Sequence, residues 1–297
     1  MKLAFVILQY MASNETVECV ESIRAHIGTV DYKIIIVDNA SPDDSYEKIE
    51  KLYESDEDIV LIKSDINLGF AKGNNLGYRY AVKNYAPEYI IMLNNDIVLF
   101  QDAIYDRISE CYEKYEFAVM GPMILTKDGK YTSSPISSEL RGKPSDELAT
   151  KAEFEKAIKD FRFKLFLLRT HLFLPIRHFY QKYLKKEVEV GAFYFENHIN
   201  YKLHGSFLVF SKKYQEVFPS GLDERTFMYG EEFFLQYHVV KAKMKLIYSP
   251  NYCVYHKEEA STSAAVKNNA RKMEAQLSGL IRSRELYIQM LEEEENS

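Results

Sequence analysis

The residues best placed to do chemistry are Asn94-Asn95-Asp96, which close the apolar run Tyr89-Ile90-Ile91-Met92-Leu93. Open α/β sheets take ligands in the crevice beyond the carboxyl ends of their strands, so an acid and two amides there can hold a metal ion or a phosphate. Polar loops also end many strands with no ligand attached. Asp38 closes a second apolar run, Ile34-Ile35-Ile36-Val37. Its carboxylate can accept a hydrogen bond from a pyrimidine-ring N–H, or it can cap the helix that follows. The stretch from Asn67 to Gly77 places three glycines, three asparagines and Lys72 where a helix should open. Bare backbone N–H groups, a helix dipole and a cation together suit an anionic or sugar-bearing ligand. The same glycines would also serve a turn and close helix packing. The pattern is neither a P-loop nor a GxGxxG fingerprint, which removes support for ATPase and dinucleotide-binding readings.

Two further groups lie in the second half. Glu231 and Glu232 open a predicted helix after Gly221-Leu222-Asp223-Glu224-Arg225-Thr226-Phe227-Met228-Tyr229-Gly230. Neighbouring residues on a helix point about 100° apart, so one acid can face a substrate while the other caps or orients the site. Acids at a helix start also simply complement its dipole. His256 follows the apolar run Tyr252-Cys253-Val254-Tyr255, where it can be a ligand or a structural residue.

The elements that must position these residues alternate in type. Strand-like runs fall at 3–9, 33–37, 59–63, 89–93 and 117–120, with amphipathic helix patterns near 16–27, 44–54, 72–84 and 101–115. This is the signature of a parallel sheet wrapped by helices. Ser41 and Pro42 read as N-cap and first helical residue, which turns the chain sharply after Asp38-Asn39. The alternation fails from about 122 to 200, and the Ser/Pro/Gly-rich residues 132–146 read as a surface excursion. Strand signals return at 206–210, 245–248 and 252–255, with a helix over 231–242, and should complete the same sheet. Residues 266–295 form a long helix pattern whose acidic end, Glu292 to Glu295, reads as a solvated, fraying terminus.

Composition narrows the function classes. A chain of 297 residues with 46% hydrophobic content can build a large α/β domain. Cys19, Cys111 and Cys253 are scattered without CxxC spacing, which fits a reducing compartment and a cytoplasmic location. The opening Met1-Lys2-Leu3-Ala4-Phe5-Val6-Ile7-Leu8 is short and lacks a cleavage site, so it reads as a buried first strand rather than a leader. A net charge of -6 gives no sign of nucleic-acid binding. No run approaches the roughly 20 apolar residues that cross a bilayer. Residues 161–186 contain no acid and mix bulky apolar with basic side chains, interrupted by Pro175. That composition suits an interfacial helix pair on an anionic membrane surface, or a packing or homodimer-forming insertion.

Taken together and in order, Asp38-Asn39-Ala40-Ser41, the Asn67–Gly77 stretch and Leu93-Asn94-Asn95-Asp96 resemble the family 2 glycosyltransferases, over roughly residues 3–125 and 203–260. The resemblance implies an inverting, metal-dependent enzyme of α/β class with the GT-A fold: a mostly parallel central sheet flanked by helices, with a helical insertion and a C-terminal helix. Residues 1–125 would form the nucleotide-sugar-binding half, 126–202 the insertion, 203–260 the acceptor and catalytic half, and 261–297 the terminal helix. Donor contacts would fall on Tyr10, Asp38, Asn39, Ser41, Asn67, Gly69, Lys72, Gly73, Asn75, Asn95 and Asp96. A divalent cation, Mn²⁺ or Mg²⁺, would sit on Asp96 and His256. Glu232 would be the general base and Glu231 its support, with the roles exchanged if the alignment slips by one. Lys257, Ser261 and Thr262 would touch the diphosphate or the acceptor, or lie in a loop that orders over the donor.

Asn94 stands where the family's motif has its first acid, a variant that resembles bacterial rhamnosyltransferases. The implied donor is therefore dTDP-rhamnose or a UDP-hexose, and the acceptor a saccharide or lipid-linked saccharide in bacterial cell-surface polysaccharide synthesis. Phe234 and His238 occupy places where many relatives carry an acid and an arginine, which weakens transfer of acceptor contacts. A sugar-nucleotide pyrophosphorylase would need a glycine-rich basic loop where this chain has Tyr10-Met11-Ala12-Ser13-Asn14-Glu15. A non-catalytic carbohydrate-binding scaffold is the remaining alternative.

Overall fold

Apolar runs without alternation become central strands because both of their faces must be covered. In the computed structural model, which describes residues 1–126, 129, 131–136, 148–169, 191–257 and 269–296, β1 (Leu3–Gln9), β2 (Tyr32–Asp38), β3 (Ile59–Lys63) and β4 (Tyr89–Asn94) pair in parallel in the order β3-β2-β1-β4. β9 (Phe207–Ser211) then runs antiparallel between β4 and β6 (Val119–Thr126), which makes the sheet mixed. β10 (Leu246–His256) lies parallel to β6, and the short β5 (Ile97–Leu99) closes the edge antiparallel to β10. Two-residue strands β7 (Tyr131–Thr132) and β8 (His198–Ile199) pair with β6 and β10.

Residues 245–248 and 252–255 are not separate strands. They join in β10, whose register against β6 shifts between Ser249 and Cys253. Pro250 and Asn251 break the apolar pattern there, but a bulge absorbs them and the chain continues in one direction.

Helices cover both faces: α1 (Ser13–His26), α2 (Ser45–Tyr53), α3 (Gly69–Asn84), α4 (Ile104–Tyr115), α6 (Lys212–Val217) and α7 (Glu231–Lys241). One core joins Phe5, Ile7, Val20, Ile91 and Ile108 on the α1 and α4 side, and a second joins Val6, Val37, Tyr78, Leu235 and Val239 on the α3 and α7 side. α3 lies close to the sheet: a Cβ on Gly77 would come 2.5 Å from Val6 Cγ1, and one on Gly73 2.7 Å from Leu8 Cδ1.

Two long helices, α5 (Lys151–Arg169) and α8 (Asn269–Glu295), pack on each other and onto α7 through Phe154, Phe233, Phe234, Tyr287 and Met290. Phe154 stacks on Tyr287 with centroids 4.6 Å apart. The acidic end of α8 is not a fraying terminus. Glu292 pairs with Lys151, and Glu294 with Lys241 and the Tyr237 hydroxyl. Among the described residues no helix is long and apolar enough to cross a membrane. Pro175 with the rest of 170–190, residues 137–147, and Ser261-Thr262 lie outside the described residues.

Candidate active site

Parallel register brings Gln9 level with Asp38 and Leu8 level with Asn94, so the carboxyl ends of β2, β1 and β4 form one rim. A buried polar chain runs along it. Gln9 Nε2 donates to Asp38 Oδ2 at 3.0 Å, Gln9 Oε1 lies 3.2 Å from the Thr16 hydroxyl, and Asn95 Nδ2 donates to that hydroxyl at 3.0 Å and to the Ala12 carbonyl at 3.2 Å. Every member is buried, so each must find its partner inside the protein. Gln9 and Thr16 were not singled out from sequence, although a glutamine ending the apolar run of β1 is the same kind of signal as Asp38 ending β2. Asp38 Oδ1 also accepts from the Ser41 N–H at 3.0 Å, and the Ser41 hydroxyl accepts from the Met11 N–H at 2.9 Å. Ser41 is therefore a clamp between the β1 and β2 loops rather than the N-cap of α2, which starts at Ser45. Tyr10, beside this clamp, is half-buried.

The next loop is built by side-chain amides. Asn39 Nδ2 donates to Asn67 Oδ1 at 3.2 Å and to the Gly69 carbonyl at 3.1 Å, while Asn39 Oδ1 accepts from the Leu68 N–H at 2.9 Å. Gly69 has φ +77°, and a Cβ there would collide with the Phe227 carbonyl, so only glycine fits. That carbonyl accepts from the Phe70 N–H at 2.7 Å. The loop opening α3 is thereby bonded to the turn that leads to the acidic pair.

Two of the expected donor contacts also have partners within the fold. The amide of Asn75 is taken by Leu222 O (2.8 Å), Leu222 N–H (2.8 Å) and Glu224 Oε1 (3.0 Å), and Gly73 lies against Leu8. Asn67 and Lys72 are exposed at the start of α3.

The turn before α7 is held from several sides. Tyr229 and Gly230 both have positive φ, +72° and +92°. Ser283 of α8 donates to the Tyr229 carbonyl, and a Cβ on Gly279 would come 2.7 Å from the Tyr229 ring. His238 Nε2 sits 2.9 Å from Asp223 Oδ2. Burial opposes ionisation of Asp223, but the contacts with His238 and the Arg225 N–H outweigh it and hold the carboxyl below its usual range. His238 thus fastens the turn to its own helix.

The two glutamates meet opposite environments. Glu231 is 6% exposed and accepts from the Thr226 hydroxyl at 3.0 Å. Burial first, and the neighbouring Glu232 second, push its pKa up to about 8. Glu232 is half-buried, and its Oε1 lies 3.3 Å from where a Cβ of Gly205 would stand.

Pairing of β10 with β5 sets His256 opposite Ile97, next to Asp96. His256 Nε2 comes 3.1 Å from Asp96 Oδ1, both side chains are buried, and His256 Nδ1 is buried without a hydrogen-bond partner. Among the described residues no three or more His, Cys, Asp or Glu side chains gather as a metal cage. One carboxylate and one imidazole with an unsatisfied ring nitrogen do fit a divalent cation that draws its other ligands from a phosphate-bearing substrate. Lys257 donates its N–H to the Asp96 carbonyl at 3.1 Å and pairs with Glu18 at 2.6 Å. The Asn94 N–H donates to the Ser206 carbonyl at 2.9 Å.

A family model described as Glycosyl transferase family 2 matches residues 5–175, more than half of the chain. The chain belongs to this family. The low-salt glycan biosynthesis hexosyltransferase Agl10 of Haloferax volcanii is 24% identical over 127 residues, which are 43% of this family 2 chain and 38% of Agl10. Two solved structures share the fold. S. aureus TarS 1–349 in complex with UDP-GlcNAc aligns over 89% of this chain and 61% of its own at TM-score 0.53 and 10% identity. GalNAc-T7 with UDP, GalNAc and Mn²⁺ aligns over 89% and 45% at TM-score 0.55 and 14% identity. The chain thus spans well under two thirds of Agl10 and less than half of GalNAc-T7. The α/β architecture is that of GT-A glycosyltransferase structures.

Proposed function

We propose that the protein is an inverting glycosyltransferase that moves a sugar from a nucleoside-diphosphate donor to an acceptor hydroxyl. The observation that carries this reading is the contrast at the start of α7. Glu231 is buried and kept neutral, while Glu232 beside it is half-exposed on a turn bonded through Phe227 to the Asn67–Phe70 loop. A buried, neutral acid beside a half-exposed one can divide the labour of one site.

Glu232 takes the proton of the acceptor hydroxyl as that oxygen attacks the anomeric carbon from the face opposite the leaving group, and the configuration inverts. Glu231, being neutral, keeps a second charge away from the base and orients the turn through Thr226. Asp38, Asn39 and Ser41 shape the donor side of the rim, with Tyr10, Asn67, Gly69 and Lys72 at its edge. Gly73, Asn75 and Asn95 support that surface from beneath. Asp96 and His256 would hold Mn²⁺ or Mg²⁺, which when bound offsets the charge of the diphosphate. The Mn²⁺ bound with UDP in GalNAc-T7 supports a cation of this kind.

The donor is dTDP-rhamnose or a UDP-hexose. Asn94 in place of an acid supports the first, while the hexosyltransferase Agl10 and the UDP-GlcNAc bound to TarS support the second. The acceptor is a saccharide or lipid-linked saccharide of a cell-surface polysaccharide. A peripheral position on an anionic cytoplasmic membrane face is supported by α5, where the aromatic side chains of Phe163 and Phe166 are 62% and 57% exposed. Incubation with a panel of dTDP- and UDP-sugars and Mn²⁺ should release the free nucleoside diphosphate from one of them. A panel that yields no release from any donor, with or without saccharide acceptors, would favour a binding scaffold.

A further inference from the structure

The long helices α5 and α8 enclose a cleft that the proposed transfer does not use. Their ion pairs, Lys151 with Glu292, Arg162 with Glu285 and Arg169 with Glu274, follow opposite chain orders, so the two helices run antiparallel. The cleft between them has a volume of about 420 Å³. Arg162, Leu165 and Arg169 line it from α5, and Ile281, Arg282 and Glu285 from α8. Spacings of three, four and seven residues put each set on one side of its helix. Aliphatic and guanidinium groups therefore share one concave surface.

Charge decides what such a surface takes. Glu285 meets Arg162 at 2.6 Å and Glu274 meets Arg169 at 2.8 Å, but both arginines remain 63% and 60% exposed. Ion pairs at that exposure contribute little, so these guanidinium groups can turn to another anion at small cost. Arg282 is exposed and forms no ion pair among the described residues. The chain as a whole carries a formal net charge of -6, so an anionic surface repels it unless a local cationic seat draws it in. A soluble phosphate would gain nothing from Leu165 and Ile281, nor from the exposed ring of Phe163 beside Arg162. A phosphate with acyl chains beneath it meets both kinds of group.

We infer that the α5–α8 cleft seats the headgroup phosphate of an anionic bilayer lipid, with Arg282 as its principal contact. The inference rests on the peripheral-membrane part of the proposed function and gives that contact a defined place. Gly279 and Ser283, which hold the turn at Tyr229, each follow a cleft residue of α8, Ser278 and Arg282. The helix that meets the lipid is thus the helix that fastens the turn before Glu231 and Glu232.

The test floats the full chain with vesicles of phosphatidylcholine alone and of phosphatidylcholine containing about one third phosphatidylglycerol. Wild type is compared with Arg282→Gln, with Arg169→Gln/Arg282→Gln, and with Lys213→Gln, which removes the same charge from an exposed position outside the cleft. Wild type should bind only the anionic vesicles. Arg282→Gln should weaken that binding about fivefold and the double variant about 20-fold, the scale expected for arginines near an anionic surface, while Lys213→Gln changes it less than about twofold. Unchanged binding by the double variant, equal losses in Arg282→Gln and Lys213→Gln, or equal wild-type binding to both kinds of vesicle would each overturn the cleft assignment and leave a membrane contact elsewhere. Wild type bound to neither vesicle would remove the membrane reading and the inference together. In that case, thermal stabilisation by inorganic phosphate that Arg282→Gln abolishes would assign the cleft to a soluble phosphate, and a dimer that Arg282→Gln dissociates would assign it to a second copy of the chain. Nucleoside diphosphate release judges the glycosyltransferase reading separately from all of these.

Discussion

His256 Nε2 and Asp96 Oδ1 lie 3.1 Å apart, although the residues are far apart in the sequence, one closing β10 and the other following β4. The antiparallel pairing of β10 with β5 makes this meeting, because β5 begins one residue after Asp96. If this pair holds the proposed cation, two protein ligands would be too few to hold it tightly, and donor oxygens would have to complete the shell.

Metal binding should therefore depend on the donor. Isothermal titration is expected to show weak Mn²⁺ binding to the free protein and markedly tighter binding with UDP or dTDP present. Asp96→Ala or His256→Ala should weaken the Mn²⁺-dependent part of nucleotide binding by about tenfold or more, roughly 1.4 kcal/mol. Tight binding of Mn²⁺ to the empty protein would count against this ligand set.

Glu231 makes stability depend on pH in a defined direction. Its pKa is about 8 in the folded chain, against about 4.3 for an unperturbed glutamate. Between those values the unfolded state has released a proton that the folded state keeps, so stability falls as pH rises. The contribution is complete below about pH 4 and is lost as pH passes through the folded value. Glu231→Gln mimics the neutral acid and should flatten this slope. Thermal unfolding of the two proteins from about pH 6 to about pH 9 should diverge, with the variant favoured at the alkaline end; parallel curves would contradict a neutral Glu231.

Gly279 tests the docking of α8 on the turn before the acidic pair. Gly-to-Ala in a helix interior normally stabilises by about 1 kcal/mol. Here the added Cβ would press 2.7 Å from the Tyr229 ring and 3.1 Å from the Met228 carbonyl. Gly279→Ala should accordingly destabilise by about 1–3 kcal/mol in urea unfolding, a reversal of sign that propensity alone does not produce.

Much of the candidate site's placement was legible because strand ends and helix starts announce themselves locally. An apolar run followed by an acid marked Asp38 and Asp96, and paired acids before an apolar helix marked Glu231 and Glu232. Contacts between distant segments left weaker traces. Small and amide residues at a helix start suit ligand or structural use alike, and the packing of Gly73 against Leu8 and the bonds of Asn75 to Leu222 left no trace in the local pattern. The Gln9–Thr16–Asn95 chain depends on α1 crossing the rim, which no spacing reveals. The continuity of β10 was hidden by Pro250 and Asn251, whose local preference for a turn is overruled by pairing with β6 on both sides. The acidic tail of α8 looked like a solvated end because Lys151 and Lys241, its partners, are remote in sequence.

The central claim is that Glu232 acts as general base at a site that binds its nucleotide sugar independently of that carboxylate. Glu232→Gln, assayed for transfer with the donor and acceptor identified by the panel and for donor binding by calorimetry, tests it most directly. Transfer should fall by about 100- to 10,000-fold, the usual contribution of a positioned base, with donor affinity retained within about threefold. Turnover by Glu232→Gln at the wild-type rate would contradict the assignment.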